Sequence, residues 1–286
     1  MAALESYWRK SYKRWLRWLA LALIFSVACG FLSNWQLNRR EQVVKVIQRI
    51  ERNYDHQRVR LTTLVPSLHE FKPSREYRKV WVQGRYLNAG VTLVRNRPLN
   101  GVPGFEELVP FQIDSSADTQ ASVIWVDRGW LPLGETPEAP KATPLPKTGS
   151  MLVVGRLLSS EAADSRSAPR GQTQSIYLLG LAKTLGAGLH LPVKSFYSGA
   201  YLQLVQESEP GPTGTLADKP SLDEGNHLSY AFQWVIFAIM AFVALGWAIK
   251  SERTHLRAAQ DPNFVPKKRK VVGQADMNAE DDLLDS

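Results

Sequence analysis

The chain has a single cysteine, Cys29. One thiol excludes a disulfide framework within the chain, cysteine-rich zinc, iron–sulfur clusters and covalent c-type haem attachment. Histidine is also scarce. Of the five present, His56, His69, His190 and His255 show no ligand spacing to one another and read as solvated or hydrogen-bonded loop residues. No G-x-S-x-G elbow, H-E-x-x-H helix, Walker loop or G-x-G-x-x-G turn occurs, and no internal repeat. Asp127-Arg128 at the end of a strand-like run reads as a structural ion pair at a turn. No catalytic constellation remains, and the expectation is a protein that is not an enzyme.

Charge of either sign is absent from two long runs. Residues 18–37 (WLALALIFSVACGFLSNWQL) contain none, about the 20 residues a spanning helix requires. Residues 225–249 contain no Asp, Glu, Lys or Arg either. About 25 residues make roughly 37 Å of helix, enough to cross a hydrocarbon core of about 30 Å with some tilt. The first run is long and lacks a small-x-small cleavage site, so it reads as a retained anchor with Cys29 facing lipid or a neighbouring helix.

The net charge of +8 lies mostly beside these runs, and nucleic acid is not the expected partner. Arg9, Lys10, Lys13, Arg14 and Arg17 precede the first, while Lys250, Arg253, Arg257 and Lys267 to Lys270 follow the second. Basic flanks at both ends place both termini in the cytoplasm, with the last cluster on anionic lipid. The expected organisation is a basic N-terminus (1–17), a span (18–37), an extracytoplasmic domain (38–224), a second span (225–249) and a cytoplasmic tail (250–286), disordered after Asp261.

Between the spans the period changes. Val43, Ile47, Ile50 and Tyr54 repeat at helical spacing, so the first helix should continue outside as an amphipathic segment. Strand-like stretches follow at 80–87, 91–96, 108–113, 122–130, 151–158, 175–179 and 201–206. Asn88-Ala89-Gly90 offers a hairpin turn, and 181–186 a short helix. The fold class expected is a membrane protein of α+β type. Two transmembrane helices flank a mainly antiparallel β domain, a sheet or a small barrel.

His227 opens the second apolar run, with Tyr230 and Trp234 on the same helical face. Two readings stand for this trio. One is an interfacial belt of amphipathic rings. The other is a site, because an ionisable group at a membrane edge and an imidazole able to ligate iron are both functional by default.

Four segments in order carry a resemblance. Gly30 with Trp35-Gln36-Leu37 and Arg39-Arg40 resembles a G-x-W-Q-x-x-R-R signature. Glu76-Tyr77-Arg78 with Val80, Val82 and Gly84 resembles E-Y-R-x-V-x-V-x-G. Residues 126–132 (VDRGWLP) resemble V-N-R-G-[WF]-[VI]-P, with Asp127 where Asn is usual. His227-Leu228 with Tyr230 and Trp234 resembles H-L-x-Y-x-x-x-W, with Gln233 where Thr is frequent. Together they resemble segments of the surfeit locus protein 1 (Surf/Shy) family, and the order helix, external domain, helix agrees with it.

The resemblance implies a non-enzymatic assembly factor for cytochrome c oxidase, a haem–copper terminal oxidase. Such a factor assists maturation of the catalytic subunit and its haem a centre. It makes His227 the candidate axial ligand to haem iron, Tyr230 and Trp234 its apolar flank, and Arg39 and Arg40 candidate donors to propionates or lipid headgroups. Haem a is then a transient cofactor. The implied partners are the oxidase catalytic subunit, haem a synthase or other assembly factors, and the phospholipid membrane. The alternative is a membrane scaffold that binds oxidase or respiratory supercomplex subunits and handles no haem. The N-terminus is too short for a transit peptide, which favours a bacterial cell membrane over the mitochondrial inner membrane.

Overall fold

A computed structural model describes residues 2–114 and 122–260, with side chains between residues 12 and 259. Helix α1 is one uninterrupted element, Ala2–Asn53, of 52 residues or about 78 Å. It contains the first apolar run and the amphipathic extension as well. Two shorter helices follow, α2 (Leu61–Leu64) and α3 (Leu178–Gly186), and helix α4, His227–Gln260, contains the second run. Helices α1 and α4 are both long and apolar enough to cross a membrane, and both expose most of their apolar side chains. The described chain divides into two units: residues 1–42 with 224–286, and residues 43–223. The tail expected to be disordered, with Lys267 to Lys270, lies outside the described residues from 261 onward.

In the helical unit the two long helices are tied at each end. Arg14 on α1 bonds Glu252 on α4. Near the other ends, Gln36 bonds His227. The pair is therefore antiparallel. Cys29 and Ser33 on α1 and Ala231 on α4 are buried, which makes Cys29 a helix-packed residue.

The second unit is a closed β-barrel with additions. Its strands are β1 (Val59–Arg60), β2 (Lys79–Tyr86), β3 (Thr92–Leu99), β4 (Val102–Ile113), β5 (Val123–Pro132), β6 (Met151–Ser159), β7 (Gln172–Thr173) and β8 (Ala200–Glu207). The order β2-β6-β8-β5-β4 returns to β2 through the pairs Gly84↔Ile113, Arg85↔Gln112 and Tyr86↔Phe111, so five strands close the barrel. Gly84 sits where β2 is shared between β6 and β4. A Cβ there would lie 2.0 Å from the Gln112 carbonyl oxygen, so only glycine permits the closure. Most pairings are antiparallel, while β5–β8, β1–β2 and β3–β7 are parallel.

Alternation fills the lumen with Val80, Val82, Phe111, Ile124, Val126, Val153, Leu157 and Leu202. Strand β5 is buried on both faces. Val123 and Trp125 point outward beneath helix α3 (Leu178–Gly186), in a second core with Leu108, Ile176, Leu181 and Phe196. Trp125 and Phe196 stack there at 5.8 Å.

Three local expectations are corrected. Asn88–Gly90 is a turn of 3-10 helix, and the strands it joins do not pair with each other. The hairpin forms instead between β3 and β4, where Asn100 (φ 52°) and Gly101 (φ 80°) supply the two left-handed residues of a tight hairpin turn. Residues 175–179 are not a strand, because α3 begins at Leu178. Asp127 and Arg128 are not partners, because adjacent strand residues point to opposite faces.

Candidate functional site

Where α4 begins, polar residues from both long helices meet. Gln36 and Arg40 stand one turn apart on the same face of α1. The Gln36 Oε1 lies 2.9 Å from His227 Nδ1, and the Arg40 guanidinium lies 2.6 Å from the Glu224 carboxylate just ahead of the helix. With the amide oxygen facing Nδ1, the neutral ring that donates from Nδ1 carries its lone pair on Nε2. Gly225, at φ 70°, precedes the ring, and a Cβ on it would stand 3.8 Å from Nε2. Glycine thus supports the left-handed turn that leads into the helix.

The other expected site residues are placed unequally. Trp234 is half-buried and meets Phe237 edge-on at 5.7 Å. Tyr230 is exposed, while Ala231 takes the buried position beside it. Arg39 is exposed and donates to Gln42 along its own helix at 3.2 Å. Arg40 is thus brought beside His227 through Gln36 and Glu224, and Arg39 is not. Sequence reading missed two contributors. Gln36 was visible as the polar residue inside the tryptophan–glutamine segment. Glu224 was visible only as the last acid before the apolar run.

The remaining two motif segments act elsewhere. Glu76 accepts from both Arg49 on α1 and Ser159 on β6. The Asn53 amide donates to the carbonyls of Ser74 (2.7 Å) and Glu76 (2.8 Å), so the end of α1 is bolted to the β domain.

Arg128 is wholly buried. It donates to Glu107 at 2.8 Å and Glu207 at 3.1 Å, and to the carbonyls of Pro144 (3.0 Å) and Pro212 (2.9 Å). The Tyr86 hydroxyl donates to Glu207 at 2.7 Å. One guanidinium thereby staples two proline-bearing loops to the barrel. Burial raises the Glu107 pKa to about 7, against the opposing pull of Arg128. On the other face, burial and then repulsion from Glu106 push Asp127 up to about 8, and its carboxyl accepts from the Gly129 amide at 3.0 Å.

Among the described residues no group of three or more His, Cys, Asp or Glu gathers to hold a metal. The architecture defines a class: a hairpin of two membrane-length helices with one large β-barrel domain inserted between them. Within that class the chain belongs to the SURF1 family, whose model matches residues 23–239. It is 31% identical over 264 residues to uncharacterized SURF1-like proteins of Mycobacterium bovis and Mycobacterium tuberculosis, covering 90% of this chain and 92% of theirs.

Proposed function

We propose that this chain is a non-catalytic assembly factor for a haem–copper cytochrome c oxidase, assisting maturation of the catalytic subunit and its haem a centre in a bacterial cell membrane. The observation that carries the reading is the Gln36–His227 contact. With the Gln36 oxygen accepting from Nδ1–H, Nε2 would be the nitrogen offered to a metal, as where a hydrogen-bond acceptor backs a ligating histidine. The donor set fits a haem as transient cargo. His227 offers one neutral nitrogen, Tyr230 and Trp234 offer apolar faces, and the exposed Arg39 offers a guanidinium to a carboxylate. When bound, haem a would supply an iron that a histidine nitrogen can ligate, and His227 would be the residue to hold it. The chain holds and orients that nitrogen and neutralises acid groups nearby.

Both termini are assigned to the cytoplasm and residues 38–224 to the outside, from the basic flanks of the two spans. The partners in this reading are the oxidase catalytic subunit and the enzyme or factor that delivers haem a. The test is complementation in a strain lacking the chain. Wild type restores haem a per oxidase catalytic subunit, and His227→Ala, inserted at equal level, does not. Full restoration by His227→Ala would leave a scaffold that handles no haem. A reporter active only in the periplasm, fused after Ser286, stays silent; activity there would refute the topology.

A further inference from the structure

On the outer face of the barrel three cations stand in one row, two on neighbouring strands and one just ahead of a third. Lys79 on β2 pairs directly with Arg156 on β6, and both point outward with Val154. Arg58 precedes the Val59↔Val80 pair of β1, which places it beside Lys79. Like charges directly opposite in a sheet repel, so this row costs stability unless something neutralises it.

Arg156 makes the cost acute. It is 8% exposed, and no carboxylate among the described residues comes within ion-pair distance of it. Its guanidinium lies 3.5 Å from the centre of the Tyr54 ring and reaches the Tyr54 carbonyl at only 3.5 Å, and its buried Nε has no partner. Burial lowers its pKa, yet an arginine stays charged. The aromatic face covers one side of the cation, and among the described residues the Tyr54 carbonyl at 3.5 Å is the one acceptor its N–H groups reach.

The nearest acid is Asp55, and Lys219 already holds it at 2.8 Å. Lys219 also lies 4.9 Å from the Tyr54 ring. Beside this row is a cavity of about 480 Å³ lined by Gln57, Arg58, Lys79, Val154, Val205 and Gln206. Two cations, Arg58 and Lys79, and two side-chain amides therefore line this space, while Arg156 pairs with Lys79 across the strands and the nearby carboxylate of Asp55 is engaged by Lys219.

We infer that the Arg58–Lys79–Arg156 row is a binding site for a phosphate-bearing anion. A phosphomonoester brings about −1.5 to −2 charges and three acceptor oxygens, and it can take donors from several directions at once. A single carboxylate would leave most of the row uncompensated. The planar fork of Arg156 suits two phosphate oxygens, with Lys79 and Arg58 as flexible point charges at the rim.

The experiment is calorimetric titration of the full chain in neutral detergent, at constant ionic strength, with two probes: inorganic phosphate and dihexanoyl phosphatidic acid. Dihexanoyl phosphatidylcholine is the control. Wild type is expected to bind at least one probe with a Kd below about 1 mM. Arg58→Gln/Lys79→Gln, both at accessible positions, should weaken that binding at least about ten-fold. Arg156→Lys should weaken it by a smaller factor, keeping charge and losing the fork. Tighter binding of phosphatidic acid assigns the anion to a lipid headgroup, and equal binding assigns it to a soluble phosphate. No heat from either probe, or an unchanged Kd in the double variant, overturns the inference.

Discussion

Two polar constellations join distant parts of this chain, and they differ in one respect. Around Arg128 the buried guanidinium faces an acceptor on every side: two carboxylates, two carbonyls and a tyrosine ring at 5.3 Å, with the buried Glu107 Oε1 left without a partner among the described residues. At the start of α4 the groups are only half-buried, and the imidazole has one nitrogen engaged and one without a hydrogen bond among the described residues. A closed network spends its hydrogen bonds on architecture. An accessible one with an open ligand atom is a place to receive something. Both use residues from the segments that resemble a known family, so motif membership alone does not separate structure from function. Saturation does.

The largest expected effect breaks the sealed side. Arg128→Ala leaves Glu107 and Glu207 buried without a counter-charge and should cost about 3–5 kcal/mol. Chemical denaturation of the full chain in detergent measures it. A loss within about 0.5 kcal/mol, as for an ordinary surface change, would mean that the cluster is hydrated and not sealed.

A mid-sized effect concerns pH. The folded pKa of Glu107 is raised from 4.5 to about 7, chiefly by burial. Between these values the folded state binds more protons than the unfolded state, so the group's contribution is fully present below 4.5 and lost as pH rises through about 7. Its slope is at most about 1.4 kcal/mol per pH unit. Glu107→Gln keeps an oxygen for Arg128 and should remove this slope from a stability-versus-pH curve. An unaltered curve would mean that Glu107 titrates normally.

The smallest effect on stability is expected on the open side. Arg40 and Glu224 are substantially exposed, and such pairs contribute about 0–1 kcal/mol. Arg39→Gln/Arg40→Gln should leave the protein folded and in the membrane, yet lower oxidase activity in cells. Unchanged activity and haem content would reduce both arginines to anchors at the interface.

Much of this arrangement was legible before any coordinates. The two apolar runs, the helical continuation through Ile50 and most of the strands follow from period and charge. What escaped is non-local. The β2–β4 closure joins Gly84 to Ile113, and no periodicity encodes that register. The turn at Asn100-Gly101 was present as a two-residue signal, while Asn88-Ala89-Gly90 looked equally turn-like. Residues 175–179 are a short apolar run that a strand and a helix start share. Reading Asp127 and Arg128 as a pair ignored the strand geometry that separates their side chains. In the site, Gln36 and His227 each stood in a recognised segment, but their contact spans 191 positions and only folding brings them together. The unpartnered Nε of Arg156 had no signature at all, since it is visible only once the neighbours are placed.

The difference between a saturated and an open constellation is tested most directly by haem content at His227. The chain is purified from a host that makes haem a, and haem a per chain is read from its absorption spectrum for wild type, His227→Ala and Gln36→Leu. The expected result is haem a with wild type, none with His227→Ala at unchanged folding, and a reduced amount with Gln36→Leu, whose ring loses its fixed tautomer. Equal haem a in wild type and His227→Ala, or none in wild type, would contradict the assignment of His227 as a ligand.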